Sequence, residues 1–253
     1  MSVKLKKIVP LAAVLAYAAA LNLYYLGSQQ FILMRDSYAY LRFAADAAAG
    51  NADLSSTAAS RPPLLIQLLI FLQNCGADPE IFGVMVVLTA TLGAVAAVYF
   101  LAELLFEDRF QAAVAAWLTA AVPGLFYYGG NILRDPLYWC AALWCIVFFC
   151  RALWSPVAFK KVFCNAAAAG LAAGLAAGIR WEWPELGGFM VIALIAALFD
   201  PARSKKRCFI AAAVAGIVAL TVVSILTLGA PDWTRWRPYA MPDSALSAGE
   251  GVE

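Results

Sequence analysis

The sequence predicts an all-α integral membrane protein with about seven transmembrane helices and a long outer first loop that contains juxtamembrane helices. Three observations lead there. Hydrophobic residues make up 64% of the chain and charged residues 13%, with a mean hydropathy of +0.79. A soluble domain needs roughly 25% charged residues to coat its surface, so lipid has to serve as much of this chain's solvent. Uncharged runs recur at lengths near 20 residues, and at ~1.5 Å per residue such a run crosses ~30 Å of hydrocarbon. The clusters of Lys and Arg fall between those runs in the alternation that the positive-inside bias requires.

The first run, 8–26, follows Lys4, Lys6 and Lys7. Ala16-Tyr17-Ala18 offers the small residues of a signal-peptide cleavage site. The run continues through Leu23, Tyr24 and Tyr25, however, which is long enough for an uncleaved first helix. Runs 81–102, 110–133, 136–150, 162–179, 186–199 and 208–230 supply the other crossings. Of these, 136–150 and 186–199 are short and borrow interfacial residues such as Arg151, Trp183 and Pro184.

Topology decides the role of one further run, 62–72, which opens on Pro62-Pro63. If it does not cross, the basic clusters at 4–7, 151–161 and 203–207 all lie on the cytoplasmic side. If it crossed, the two later clusters would be translocated. It is therefore expected to be a juxtamembrane helix within an outer loop, 27–80. Residues 1–230 then form one transmembrane module. Residues 231–253 form a polar outer-face tail, and the sequence leaves open whether it is a natural end, a truncation or the join to a partner subunit.

Composition also excludes chemistry. The chain has no His, which removes Ser-His-Asp and Cys-His catalysis and HExxH metal sites. Its net charge of +2 includes no basic run long enough to suggest nucleic acid. The six Cys (75, 140, 145, 150, 164 and 208) have neither CxxC pairing nor metal-ligand spacing and read as small membrane hydrophobes. Gly170, Gly174 and Gly178 recur every four residues, a smooth stripe against which a neighbouring helix can pack closely.

The proposed topology gathers Arg35, Asp36, Arg42, Asp46, Arg61, Arg134, Asp135, Arg180, Glu182 and Glu185 on the outer face. Four constellations lie among them. In Met34-Arg35-Asp36-Ser37-Tyr38-Ala39-Tyr40, Asp36 is either the N-cap of an amphipathic helix or a general base at the membrane surface. Ser60-Arg61-Pro62-Pro63 reads as a helix opening. In Asn131-Ile132-Leu133-Arg134-Asp135-Pro136-Leu137-Tyr138, Asp135 reads as an N-cap at the outer end of a span, at the membrane level of Asp36. An acid deeper in the bilayer would cost about 2.5–3.5 kcal/mol. In Arg180-Trp181-Glu182-Trp183, the Trp residues suit an interfacial belt. Arg180 and Glu182 can pair with other outer-face charges, or Arg180 can hold a phosphate through bidentate contacts.

Taken in order, these features resemble a known family. The order is a first span, an outer Asp-x-Tyr helix at 36–38, a Pro-Pro-Leu helix at 62–64 and a Gly-Ala-Asp loop at 76–78. A helix ending Leu104-Leu105-Phe106-Glu107-Asp108, a Pro123-Gly124 helix end, an acid opening the next span and a Gly-rich span ending in Arg180 complete it. The pattern is similar to the GT-C superfamily of membrane glycosyltransferases, in the bacterial branch of protein-mannosyltransferase and aminoarabinose-transferase type enzymes.

The resemblance implies transfer of a sugar from a polyprenyl-phosphate donor to a lipid, glycan or protein acceptor on the outer face of a bacterial inner membrane. It implies inversion at the anomeric carbon, with Asp36 as the base that deprotonates the acceptor. Asp135 then matches the second acid, which positions the acceptor or a metal, and Arg180 matches a residue neutralising the lipid-phosphate leaving group. Arg61, Tyr38, Tyr40 and Glu182 are further candidates for substrate contact. No cofactor is required by the sequence. Without His, a metal would be held by carboxylates and water and would be Mg or Mn. Ser37 stands where protein-mannosyltransferases carry a second first-loop acid. Two other readings stay open: a transporter of lipid or solute, and a non-catalytic assembly subunit on the same fold.

Overall fold

The computed structural model describes residues 3–28, 34–51, 64–154, 158–180, 183–201 and 204–228. All regular structure among them is helical. In chain order the helices are α1 (Val3–Ser28), α2 (Arg35–Ala48), α3 (Leu64–Asn74), α4 (Pro79–Phe106) and α5 (Arg109–Ala120). They continue with α6 (Pro123–Gly129), α7 (Arg134–Trp154), α8 (Phe159–Ile179), α9 (Trp183–Phe199) and α10 (Lys205–Leu228). The expected tail at 231–253 lies outside the described residues.

Five helices, α1, α4, α7, α8 and α10, are long and apolar enough to cross a membrane. The run 110–133, expected as one crossing, is instead divided into α5 and α6, which meet at an angle of 63° and make a sixth crossing if taken together. The break has a local cause. Pro123 brings no N–H and its ring disfavours helical backbone at the residue before it, and Val122 is extended at φ −66° and ψ 118°. α5 therefore ends one turn earlier, with the Ala121 N–H on the Trp117 carbonyl. The apolar part of α9, Pro184–Phe199, is shorter than a full crossing, so among the described residues five helices, or six with the bent pair, are long and apolar enough to span.

α3 has 11 residues and covers about 16 Å, half of the ~30 Å hydrocarbon core. Its length suits a helix that caps the bundle. Leu65, Ile66 and Leu69 form its buried face and pack with Tyr40 and Ala44 of α2 and with Ile132 from the segment between α6 and α7. Against α4 the fit is close: a methyl group added at Gly83 would lie 2.9 Å from Ile132 Cδ1 and 3.2 Å from Leu69 Cδ2.

Two larger cores lie below this cap. One joins α1, α4 and α5 through Val14, Val95, Tyr99 and Ala116. The other joins α7, α8, α9 and α10 through Phe149, Leu153, Ala169, Leu186 and Ala215. The glycine stripe faces α10, as its spacing predicts for a close helix neighbour. A Cβ at Gly170 would overlap the Ala215 carbonyl and lie 2.8 Å from Val218 Cβ, and one at Gly174 would lie 2.6 Å from Val222 Cβ. At Gly178 it would lie 2.6 Å from Leu226 Cδ1. Backbone contact of this kind supplies the dispersion that holds helices together where lipid removes the hydrophobic effect.

These contacts fix which helix ends lie together. α8 and α10 run parallel, α8 ends beside the start of α7, and Leu26 of α1 lies against Gly130. One end of the bundle therefore carries the start of α8 with Lys160 and Lys161 and the start of α10 with Lys205 and Lys206. The same end holds Arg151, whose guanidinium sits 5.0 Å from the centre of the Phe100 ring, and the Arg109–Glu103 pair at 2.9 Å. α2, α3 and the start of α7 lie at the opposite end.

Candidate functional site

α2 is amphipathic because Ser37, Tyr40 and Ala44 recur at helical spacing and face the protein. Its N-cap is Met34, in extended conformation at φ −63° and ψ 153°, and no side chain caps it. Asp36 is thus not the cap. It is exposed in the first turn, where the helix dipole favours an acid by about 0.3–1 kcal/mol. Tyr38, 51% exposed, lies on the open side of the helix. Tyr40 is on the other side, buried in the contact with α3.

α7 opens in the same way, with Arg134 as its first residue and Asp135 in its first turn. Arg180 follows the last residue of α8 in extended backbone, its N–H still bonded to the Ala176 carbonyl. From there its guanidinium donates through Nη1 to Asp135 Oδ1 and lies 5.6 Å from the centre of the Tyr138 ring. The two charged side chains are 22% and 32% exposed, so the pair is partly shielded from water. Asp135 and Tyr138 are three residues apart on α7 and present one face to the arginine. One guanidinium thereby ties the end of α8 to the start of α7.

Asn131 connects this pair to α2. It is 5% exposed and sits four residues before Asp135. Its Oδ1 accepts the Met34 N–H at 2.7 Å, and its Nδ2 donates to the Tyr127 carbonyl at 2.9 Å. The two helix starts that bear Asp36 and Asp135 are therefore both referenced to one buried amide. The next residue, Ile132, is fully buried beneath α2 and α3.

The chain matches no protein-family model and no curated protein. What the site can do rests on its own residues.

Of the residues singled out by sequence, the structure brings Asp135 and Arg180 into contact and places Asp36 at the neighbouring helix start. Arg61 and Glu182 lie outside the described residues. Among the described residues, no three His, Cys, Asp or Glu side chains gather to hold a metal ion. Tyr138 and Asn131 stand in the constellation around Asp135, but neither had a role assigned from sequence. The first was within reach, as the aromatic residue one turn after Asp135. The second was not, because its partner Met34 is 97 residues away.

Proposed function

We propose that the chain is an inverting glycosyltransferase that moves a sugar from a polyprenyl-phosphate donor to an acceptor hydroxyl. The observation that carries this reading is the meeting of two acid-bearing helix starts and a guanidinium at one end of an apolar helical bundle. Such an end can take a lipid-linked donor from the membrane while the acceptor arrives from water.

In the proposed reaction Asp36 takes the proton of the acceptor hydroxyl, whose oxygen bonds to the anomeric carbon from the face opposite the phosphate. The bond from that carbon to the phosphate oxygen breaks, and the lipid phosphate leaves with the electron pair. Arg180 offsets charge that grows on the leaving oxygen, the kind of stabilisation that is strongest in a water-poor site. Asp135 holds the arginine in place.

In the same reading the chain crosses the membrane seven times, with α5–α6 as one broken crossing and α9 as a short one. The N-terminus is cytoplasmic and the site is on the outer face of a bacterial inner membrane.

The test is release of lipid phosphate by purified protein in lipid, offered a panel of polyprenyl-phosphate sugars, with Asp36→Asn beside the natural chain. Removal of a general base is expected to lower the rate by about 10²–10⁴-fold. An Asp36→Asn protein that turns over at the natural rate overturns the proposal. EDTA in the same reactions separates a carboxylate-held Mg or Mn from charge balance by Arg180 alone, since loss of release would assign the ion.

One observation favours a second reading. Arg180 and Asp135, to which the family resemblance gives separate roles toward substrate, bond to each other, as they would in a non-catalytic assembly subunit that keeps the pair as a clamp between α7 and α8. No release with any donor, together with co-purification of an active partner, would favour it.

A further inference from the structure

We infer that Asn131 is the positioning residue of this site, holding α2 and its Asp36 in register with Asp135 through the Met34 N–H. The inference deepens the glycosyltransferase reading and, for its kinetic consequence, rests on it.

The amide is fixed from both sides. Its NH2 group is committed to the Tyr127 carbonyl at 2.9 Å, so only the oxygen can face the Met34 N–H, at 2.7 Å. Turning the amide over would set N–H against N–H and C=O against C=O. The backbone of Asn131 is held as well, its N–H on the Tyr128 carbonyl at 3.1 Å and its carbonyl accepting from the Leu133 N–H at 2.9 Å. The segment between α6 and α7 is thus pinned at the residue that receives α2. Met34 is the N-cap of α2, so its N–H is not needed by the helix itself. It is spent wholly on Asn131. Asp36 lies two residues beyond one end of this bond and Asp135 four residues beyond the other. A slip of α2 would move the base relative to the second acid without disturbing either bundle core.

The conformation of Met34 offers a clean deletion. Its φ of −63° is the value that proline imposes, so Met34→Pro removes the donor and keeps the helix start. Met34→Ala removes the side chain and keeps the donor. In full-length protein in lipid nanodiscs, Met34→Pro and Asn131→Leu are expected to lower kcat by roughly 10–100-fold, the order of effect of a misplacement of about 1 Å. The KM for the donor should stay within about twofold, and Met34→Ala should behave as the natural chain. Amide exchange over residues 35–41 should quicken in Met34→Pro while that of α4 is unchanged.

Unchanged exchange in Met34→Pro overturns the anchor whether or not the protein is a transferase. Quickened exchange with an unchanged kcat overturns the positioning role. A natural chain with no transfer activity removes the glycosyltransferase reading alone, and the exchange result then decides the anchor.

Discussion

Asp135 and Arg180 stand 45 residues apart in the chain and share one hydrogen bond, with the Tyr138 ring beneath the guanidinium. Both charges are legible in the sequence as residues at span ends, and so is the option that they pair with neighbours. Their pairing with each other is not, because nothing local in Arg134-Asp135-Pro136 or Arg180-Trp181 encodes which helix end faces which. At this scale the expected outcome is energetic coupling. Asp135→Asn and Arg180→Gln should each lower the unfolding midpoint in detergent. The double variant should be less destabilised than the sum, by about 1 kcal/mol for a partly shielded pair. Strictly additive losses would mean that the contact contributes nothing to the fold. Asp36 is exposed in the first turn of α2, so Asp36→Asn gives up at least the helix-dipole contribution of about 0.3–1 kcal/mol, while turnover should fall by about 10²–10⁴-fold.

The elements differ in how far the sequence foretold them. The glycine stripe of α8 was readable because helical spacing converts three positions into one surface, and α10 occupies it. A helix end at Pro123-Gly124 was readable, yet the run 110–133 was still expected as one crossing, since hydropathy does not register the missing N–H of Pro123. The same physics sorts the glycines into two groups. Gly174→Leu should detach α10 from α8, because the first added carbon already meets Val222. The loss should be about 2 kcal/mol or more, as for an overpacked contact, read from the unfolding midpoint in detergent. Gly216→Ala should be neutral or gain roughly 0.4–1 kcal/mol through the unfolded chain, because nothing lies within 4 Å of a carbon added there. Equal losses at Gly174 and Gly216 would mean that the stripe is not the interface.

For the whole molecule, the sequence showed a helical membrane protein through composition and run length alone, but it could not fix the number of crossings. α9 is a few residues short, as the run 186–199 already is in the sequence, and α5–α6 is bent at Pro123, a backbone effect that hydropathy does not register. The separation of Lys160, Lys161, Lys205 and Lys206 from Asp36 and Asp135 by the length of the bundle supports the proposed orientation. It predicts that Cys75, exposed in the turn after α3, reacts with a membrane-impermeant maleimide in intact cells. A Lys206→Cys variant lacking Cys75 should react only after the cells are opened, and the reverse result would invert the topology. The bond between Met34 and Asn131 also has a consequence in time. α2 and α3 leave the ribosome before the segment that seats them exists, and at about 5–20 residues per second the 97-residue interval from Met34 to Asn131 lasts roughly 5–20 s, with α3 present for the later part of it. During that interval Leu65, Ile66 and Leu69 need another apolar surface, and the nearest is the lipid itself. The cap of this protein is therefore expected to rest on the bilayer as a nascent amphipathic segment and to be lifted onto the bundle only when Asn131 and Ile132 arrive.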